Sequence, residues 1–222
     1  MVNMATATET LVNNDFKDIM ANRQSIRNFD PAVSIDHAEM TDMISEAITA
    51  PSGCNLQAWH FVVVDTPAGK DKLRSFFMKF NTPQLDTSSA MVMIFGDTLA
   101  YKSYRDLWNK AYENKQITAE KRDEVFKTFL PLYENASTDM LKADATVDSA
   151  LAAMQFMLVA RAHGYETNPI AGYDASKAAA ALGLDEKRYV PVMAIAIGKP
   201  APDDKDEVKS VRYTAEQVTQ FE

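Results

Sequence analysis

The chain has 222 residues, 46% of them hydrophobic, which is enough for one sizeable core and favours one domain over two. A formal net charge of -8 with a pI near 5.0 and no basic block argues against nucleic acid as a partner, and no apolar run is long enough to span a bilayer. Cys54 is the only cysteine, so no intrachain disulfide can form, and a reducing cytoplasmic setting is expected.

Residues 1–13, MVNMATATETLVN, lack the basic and apolar regions of a signal peptide and read as a flexible arm. The rest, 14–222, reads as a single domain. Asn14 or Asp15 can cap a short helix, DFKDIMANR. Arg23-Gln24-Ser25-Ile26-Arg27-Asn28-Phe29 follows, and if extended it places Arg23, Ser25 and Arg27 on one side. Two guanidiniums and a hydroxyl facing one way suit a phosphate. Surface pairing of the arginines with Asp15, Asp18 or Asp30 is the alternative.

Asp30-Pro31 breaks the chain, and Ser34 is the expected cap of a helix reaching Thr49. Pro51 stops it. The stretch APSGCNLQAWHF, Ala50–Phe61, concentrates backbone donors and short polar side chains at Pro51, Ser52, Gly53 and Asn55. It reads either as a holder for a flat polar ligand or as an ordinary connection. Phe61–Val64, apolar on both faces, predicts a central strand. Thr66-Pro67 starts a helix with Leu73, Phe76, Phe77 and Phe80 inward, which ends in the turn Asn81–Gln84.

Met91–Phe95 predicts a second strand. Two helical segments, about 99–115 and 119–135, carry Tyr101, Tyr104, Trp108, Phe126, Phe129 and Tyr133 at helical spacing. A packing face is the first account of them and a pocket wall the second. Residues 98–143 together read as a helical insertion. The helix from Asp144 to His163 is apolar all round between Ala150 and Ala160 except at Gln155. It needs cover on every side, from a central position or another subunit. Gly164 ends it. Tyr165–Gly172 reads as a connector with extended and turn character, Asp174 as the cap of SKAAAALGL, and Tyr189–Ile197 as the last strand before a charged tail over about 200–222.

His37, His60 and His163 are scattered, so no metal site is expected, and no G-x-G occurs to support a Rossmann or P-loop reading. Cys54 lacks a resolving partner and reads as a packing residue.

In order along the chain, R-x-S-x-R-x-F at Arg23–Phe29, P-S-x-x-N-x-Q-x-W at Pro51–Trp59, the Asn81–Gln84 turn, P-I-x-G at Pro169–Gly172, and Lys209 with Arg212 resemble the FMN-dependent nitroreductase family. The resemblance implies an α+β fold, a mixed or antiparallel sheet flanked by helices, and an interlocked homodimer with FMN sites at the subunit interface. It implies that Arg23, Gln24, Ser25 and Arg27 hold FMN with Lys209 and Arg212 at the phosphate. Asn81 and Gln84 would lie on the pyrimidine side, and Pro169, Ile170, Ala171 and Gly172 along a ring face. Pro51, Ser52, Gly53, Asn55 and Gln57 would come from the other subunit. The helical insertion would lie near the substrate pocket.

The implied activity is ping-pong oxidoreduction: NAD(P)H as transient donor gives hydride to flavin N5, and a nitroaromatic, quinone or related electron-poor small molecule then takes it. No side chain need serve as general acid or base, so no catalytic residue is assigned. The same scaffold also carries dehydrogenation, dehalogenation and flavin fragmentation in relatives, and a non-enzymatic FMN-binding protein is a further alternative. Three positions depart from frequent family residues: Gln84, where some relatives have Lys, Ala58, where proline is frequent, and Ala171, where some have an acidic residue.

Overall fold

A computed structural model describes residues 11–202 and 210–222. The fold is α+β, built on a four-stranded sheet in the order β1-β2-β4-β3. The strands are β1 (Trp59–Val64), β2 (Ala90–Asp97), β3 (Glu166–Ile170) and β4 (Tyr189–Gly198). The pairings among these four strands are all antiparallel, which narrows the mixed-or-antiparallel expectation.

β2 lies inside the sheet and is covered on both faces. Met91, Met93 and Phe95 enter one apolar cluster, with Leu73, Phe76 and Ile170, while Val92 and Ile94 enter another, with Met43 and Phe156. Alternation along one strand therefore feeds two cores, which is why its sequence is apolar without a break. β1 has the same composition but lies at an edge, and most of it is only half-buried. The expectation of a central strand there is corrected: composition reports cover on two faces, not the presence of two neighbours. Tyr165–Gly172, read as a connector, supplies the opposite edge strand β3. Pro169 is tolerated because an edge strand has an unpaired side. In β4, Pro191 faces Phe95 while Met193 faces Ile94, so a bulge absorbs Val192 beside the residue that cannot donate.

The first face is covered by α3 (Pro67–Arg74), α4 (Thr82–Thr87) and α9 (Ala175–Ala181), and the second by α2 (His37–Ala47) and α8 (Thr138–Ala162). Asp36 caps α2 by accepting from Glu39 N–H, so Ser34 is not the cap. Thr66 and Asp174 cap α3 and α9, with Pro67 in the first turn of α3. α3 stops at Arg74. Phe76 and Phe77 pack inward from the loop beyond it, but Phe80 is exposed, contrary to expectation. Asn81–Gln84 does not close a helix; it opens α4, with Pro83 in the first turn.

α1 (Phe16–Asn22) is capped by Asp15 and lies against α8. α5 (Tyr104–Glu113), α6 (Ala119–Thr128) and α7 (Leu130–Glu134) build a third core, where Tyr104, Leu130 and Tyr133 meet Leu56 and Ala58. The helix breaks at Phe129, two residues before Pro131. α10 (Ala215–Val218) is a short exposed turn near the C-terminus.

α8 starts at Thr138, six residues ahead of the expected boundary, where Ser137 caps it by accepting from Met140 N–H. Ala152, Ala153, Phe156 and Ala160 of α8 are buried, while Val147, Leu151 and Met154 on its other side are exposed. Gly164 takes φ +84° as its left-handed terminator. Among the described residues, no helix is long and apolar enough to cross a membrane.

Candidate functional site

Two groups of residues stand at opposite edges of the sheet. The first gathers on β3. Ser25 bridges to Thr167 in parallel register, Ile26 N–H donates to the Thr167 carbonyl at 3.2 Å, and Asn168 Nδ2 donates to the Ile26 carbonyl at 2.8 Å. These bonds hold the 23–29 segment extended. Ile26 and Phe29 point inward, and Ser25 and Arg27 are exposed on the other side. Gln24 is half-buried.

Among the described residues, neither Arg23 nor Arg27 forms a salt bridge. Asp18 serves Arg161, Asn13 and Asn22 instead. Arg23 Nη1 is buried and has no hydrogen-bond partner among the described residues. Burial lowers the Arg23 pKa, and the Arg212 and Arg161 guanidiniums lower it further. Arg161 is paired with Asp18 and Glu166, whereas Arg23 and Arg212 form no salt bridge among the described residues. Lys209, expected beside Arg212, lies outside the described residues.

Arg27 Nη2 donates to the Phe80 carbonyl, which brings the 78–84 segment to the same place. Asn81 Nδ2 donates to the Gly172 carbonyl at 2.8 Å, and Met78 N–H donates to the same oxygen at 3.0 Å. Asn81 and Gln84 are both buried, and Gln84 Oε1 has no hydrogen-bond partner among the described residues. Pro169 and Ala171 are exposed. Ile170 sends its side chain into the core, so only its backbone can face a ligand. Gly172 permits a close approach: a Cβ there would lie 2.5 Å from Asn81 Nδ2.

The second group is the loop before β1. Cys54, Asn55 and Gln57 all have positive φ, at 50°, 59° and 53°. For Cys54 and Gln57 that conformation costs about 1–2 kcal/mol each. The loop is held by its own groups and by α8. Gln57 N–H donates to Ser52 Oγ at 3.0 Å, Trp59 N–H donates to the Gln57 carbonyl at 2.8 Å, and Gly53 N–H donates to Asp148 Oδ1 at 2.8 Å. Pro51, Gly53 and Asn55 are left exposed, with Ser52 and Gln57 half-buried.

β1 and β3 are three strand spacings apart, roughly 14 Å, and no hydrogen bond among the described residues joins the two groups. One chain therefore does not bring Pro51–Gln57 together with Arg23–Arg27, Asn81–Gln84 and Pro169–Gly172. The aromatic helices α5–α7 stand on the loop side, through the contacts of Leu56 and Ala58 with Tyr104 and Tyr133.

The histidines do other work. His37 Nε2 lies 2.7 Å from Asp65 on the surface, His60 faces the Tyr189 ring, and His163 sits between Glu39 and Glu46. Among the described residues, no group of three or more His, Cys, Asp or Glu could hold a metal ion. Asp148 was not singled out in the sequence, where it reads as one polar residue at the start of an apolar helix. Its signal was weak: an acidic residue two positions ahead of a stretch whose one polar residue is Gln155.

The family model described as "Nitroreductase family" matches residues 20–199. The CLA biosynthesis enone reductase of Lactiplantibacillus plantarum is 55% identical over 218 residues, covering 98% of this chain and 99% of that protein. The crystal structure of CLA-ER, an enone reductase of a gut-bacterial fatty acid saturation metabolism, superposes with a TM-score of 0.86 at 56% identity, covering 95% of this chain and 99% of that one. The crystal structure of a protein from Exiguobacterium sibiricum 255-15 in complex with FMN superposes with a TM-score of 0.89 at 40% identity, covering 96% and 100%.

Proposed function

The chain belongs to the nitroreductase family of NAD(P)H-dependent flavin oxidoreductases, and from that premise we propose that it reduces the carbon–carbon double bond of an α,β-unsaturated carbonyl compound bearing an apolar chain. The single observation that carries this reading is the end-to-end likeness to an enone reductase, which exceeds half of all aligned positions. It displaces the expectation of nitroaromatic or quinone reduction in favour of the alternative, a different reaction on the same scaffold. No residue pattern in the sequence points to ene reduction.

The residues present fit FMN. An unpartnered buried guanidinium nitrogen on Arg23, beside Arg212 and without a carboxylate, suits a phosphate. The unpartnered Gln84 Oε1 suits an N–H donor such as a flavin pyrimidine edge presents. In this reading Arg23, Gln24, Ser25, Arg27, Lys209 and Arg212 hold the phosphate, ribityl and pyrimidine portions. Asn81 and Gln84 line the pyrimidine side, and the backbone of Pro169–Gly172 borders the ring. When bound, FMN supplies reversible hydride chemistry.

Pro51, Ser52, Gly53, Asn55 and Gln57 complete the site from a second copy of the chain. The separation of the two groups across the sheet supports this. So does the exposed apolar side of α8 at Val147, Leu151 and Met154, which a partner would cover. A homodimer with composite sites follows. Arg27 sets a positive charge near the pyrimidine side, where a neutral Gln84 offers none. The half-buried Tyr101, Phe126 and Phe129 supply an apolar wall for an acyl chain and keep water from it.

The net reaction is balanced by NAD(P)H and one proton: hydride adds to the β-carbon, a proton adds to the α-carbon, and NAD(P)+ leaves. The test is anaerobic turnover of NADH and NADPH with a fatty-acyl enone, a nitroaromatic and a quinone, with the enone product weighed for a gain of two hydrogens. Enone turnover at a kcat/KM above both competitors is expected. Preference for the nitroaromatic or quinone would overturn the substrate assignment, and a protein that stays colourless with added FMN would overturn the flavin.

A further inference from the structure

Asp148 is 3% exposed, on the buried side of α8 beneath the 51–58 loop. Its Oδ1 accepts from Gly53 N–H at 2.8 Å, the Ala58 amide lies near enough to favour the charged form, and the buried Oδ2 has no hydrogen-bond partner among the described residues. Those two amides flank the left-handed residues Cys54, Asn55 and Gln57. The next residue, Ser149, is fully buried, and its hydroxyl is shared between the Ala58 and Phe95 carbonyls at 3.1 and 3.2 Å. Consecutive side chains of one helix thus grip the loop at both ends and tie it to β2. Gly96 permits the close contact of β2 with α8, since a Cβ there would lie 2.9 Å from Ala145 Cβ.

The titratable groups facing Asp148 are the Tyr133 hydroxyl and the Asp144 carboxylate, and the Cys54 thiol lies against Tyr133 in turn. None is a cation. Burial raises the Asp148 pKa, with Asp144 adding to the rise, while the Gly53 and Ala58 amides oppose it. A buried carboxylate without a cationic partner is a poor contributor to stability. Its place is explained by what it holds. The loop adopts conformations that Cys54 and Gln57 resist, and a carboxylate accepting from Gly53 N–H at its base selects that shape over relaxed alternatives.

We propose that Asp148 is the positioning residue of the 51–58 loop, fixing the left-handed run that presents Ser52, Gly53 and Asn55 to the flavin. The inference rests on the reading of that loop as a flavin contact. It assigns to α8 a second task besides its apolar faces: aligning the loop before the cofactor arrives, so that binding does not have to order it.

The test titrates FMN into the full-length apoprotein, following quenching of flavin fluorescence and the visible circular dichroism of bound flavin. Asp148→Ala removes the acceptor and is expected to weaken FMN binding about 10–100-fold, the usual consequence of losing hydrogen bonds to a charged group. Asp148→Asn keeps an oxygen to accept from Gly53 N–H and is expected to stay within about threefold of the native chain, with its dichroism preserved. Ala152→Gly weakens the same helix away from the loop and is expected to change affinity by less than about threefold. Native affinity in Asp148→Ala overturns the proposal, as does an Ala152→Gly loss equal to that of Asp148→Ala. Asp148→Asn behaving like Asp148→Ala overturns the hydrogen-bond account. If the native chain itself fails to bind FMN, the functional reading falls and this inference falls with it.

Discussion

The Asn81 side-chain amide donates to the Gly172 carbonyl at 2.8 Å across 91 positions of sequence. That bond joins two short motifs that are individually weak signals. It also shows why residue 172 is glycine at an ordinary negative φ: the space a Cβ needs is taken by Asn81 Nδ2 and by the Phe80 ring, at 2.5 and 2.8 Å. Replacing Gly172 with Ala forces the Asn81 amide or the backbone to move. A loss of about 1–3 kcal/mol is expected for such overpacking, read as a lower midpoint in urea together with weaker FMN binding. An unchanged midpoint would mean that the Phe80 and Asn81 side chains shift freely.

Arg23 should dominate the anion end of the site. Arg23→Ala is expected to weaken FMN binding about 10–100-fold, as loss of a charge-assisted bond does, with a smaller effect on riboflavin, which lacks the phosphate. Arg23→Lys keeps the charge but loses the planar fork, and should fall between the two. Equal losses for FMN and riboflavin would remove the phosphate from this end.

The exposed side of α8 should be an interface. Leu151→Lys places a charge among Val147, Leu151 and Met154, where a partner surface would have to desolvate it. Sedimentation is expected to show a shift from dimer to monomer at micromolar protein, with loss of bound flavin. A Leu151→Lys protein that remains dimeric and yellow would place the interface elsewhere.

Asp148 should leave a mark on the pH dependence of stability. Burial raises its pKa in the folded chain above the unfolded value of about 4. The native state therefore holds the proton more tightly than the unfolded state does. The contribution of this group is fully present below the unfolded value and is lost as pH rises through the folded one. Asp148→Asn cannot ionise, so its stability relative to the native chain should increase from about pH 4 upward and level off once Asp148 is ionised. Urea unfolding of both chains between pH 4 and 8 measures the difference, and a constant difference would contradict a raised pKa.

Much of the local structure was legible. Thr66-Pro67, Asp174 and Gly164 marked helix ends correctly because caps and left-handed terminators act within a few residues. β2 was legible because two-sided burial leaves an unbroken apolar run. β1 carried the same run and proved to be an edge, and β3 was missed because Glu166-Thr167-Asn168-Pro169 has neither alternation nor β-branched density. Its strand character comes from the β4 ladder and from Asn168 reaching the Ile26 carbonyl.

The same division applies to the candidate site. Its residue types, and their order along the chain, were present in the sequence by itself: the arginine and serine alternation, the polar loop after Pro51, and the glycine after Ile170. Hydrogen-bond donors and charge are properties of residue type, so sequence suffices to show them. Only the tertiary structure decided which of them meet. It gathered Arg27, Asn81 and Gly172 at one edge of the sheet, stranded Pro51–Gln57 at the other, turned Ile170 into the core, and put Asp148 beneath a loop 95 positions away. Those outcomes depend on strand order and on which side chain a helix turns toward its neighbour, both set by contacts between distant segments.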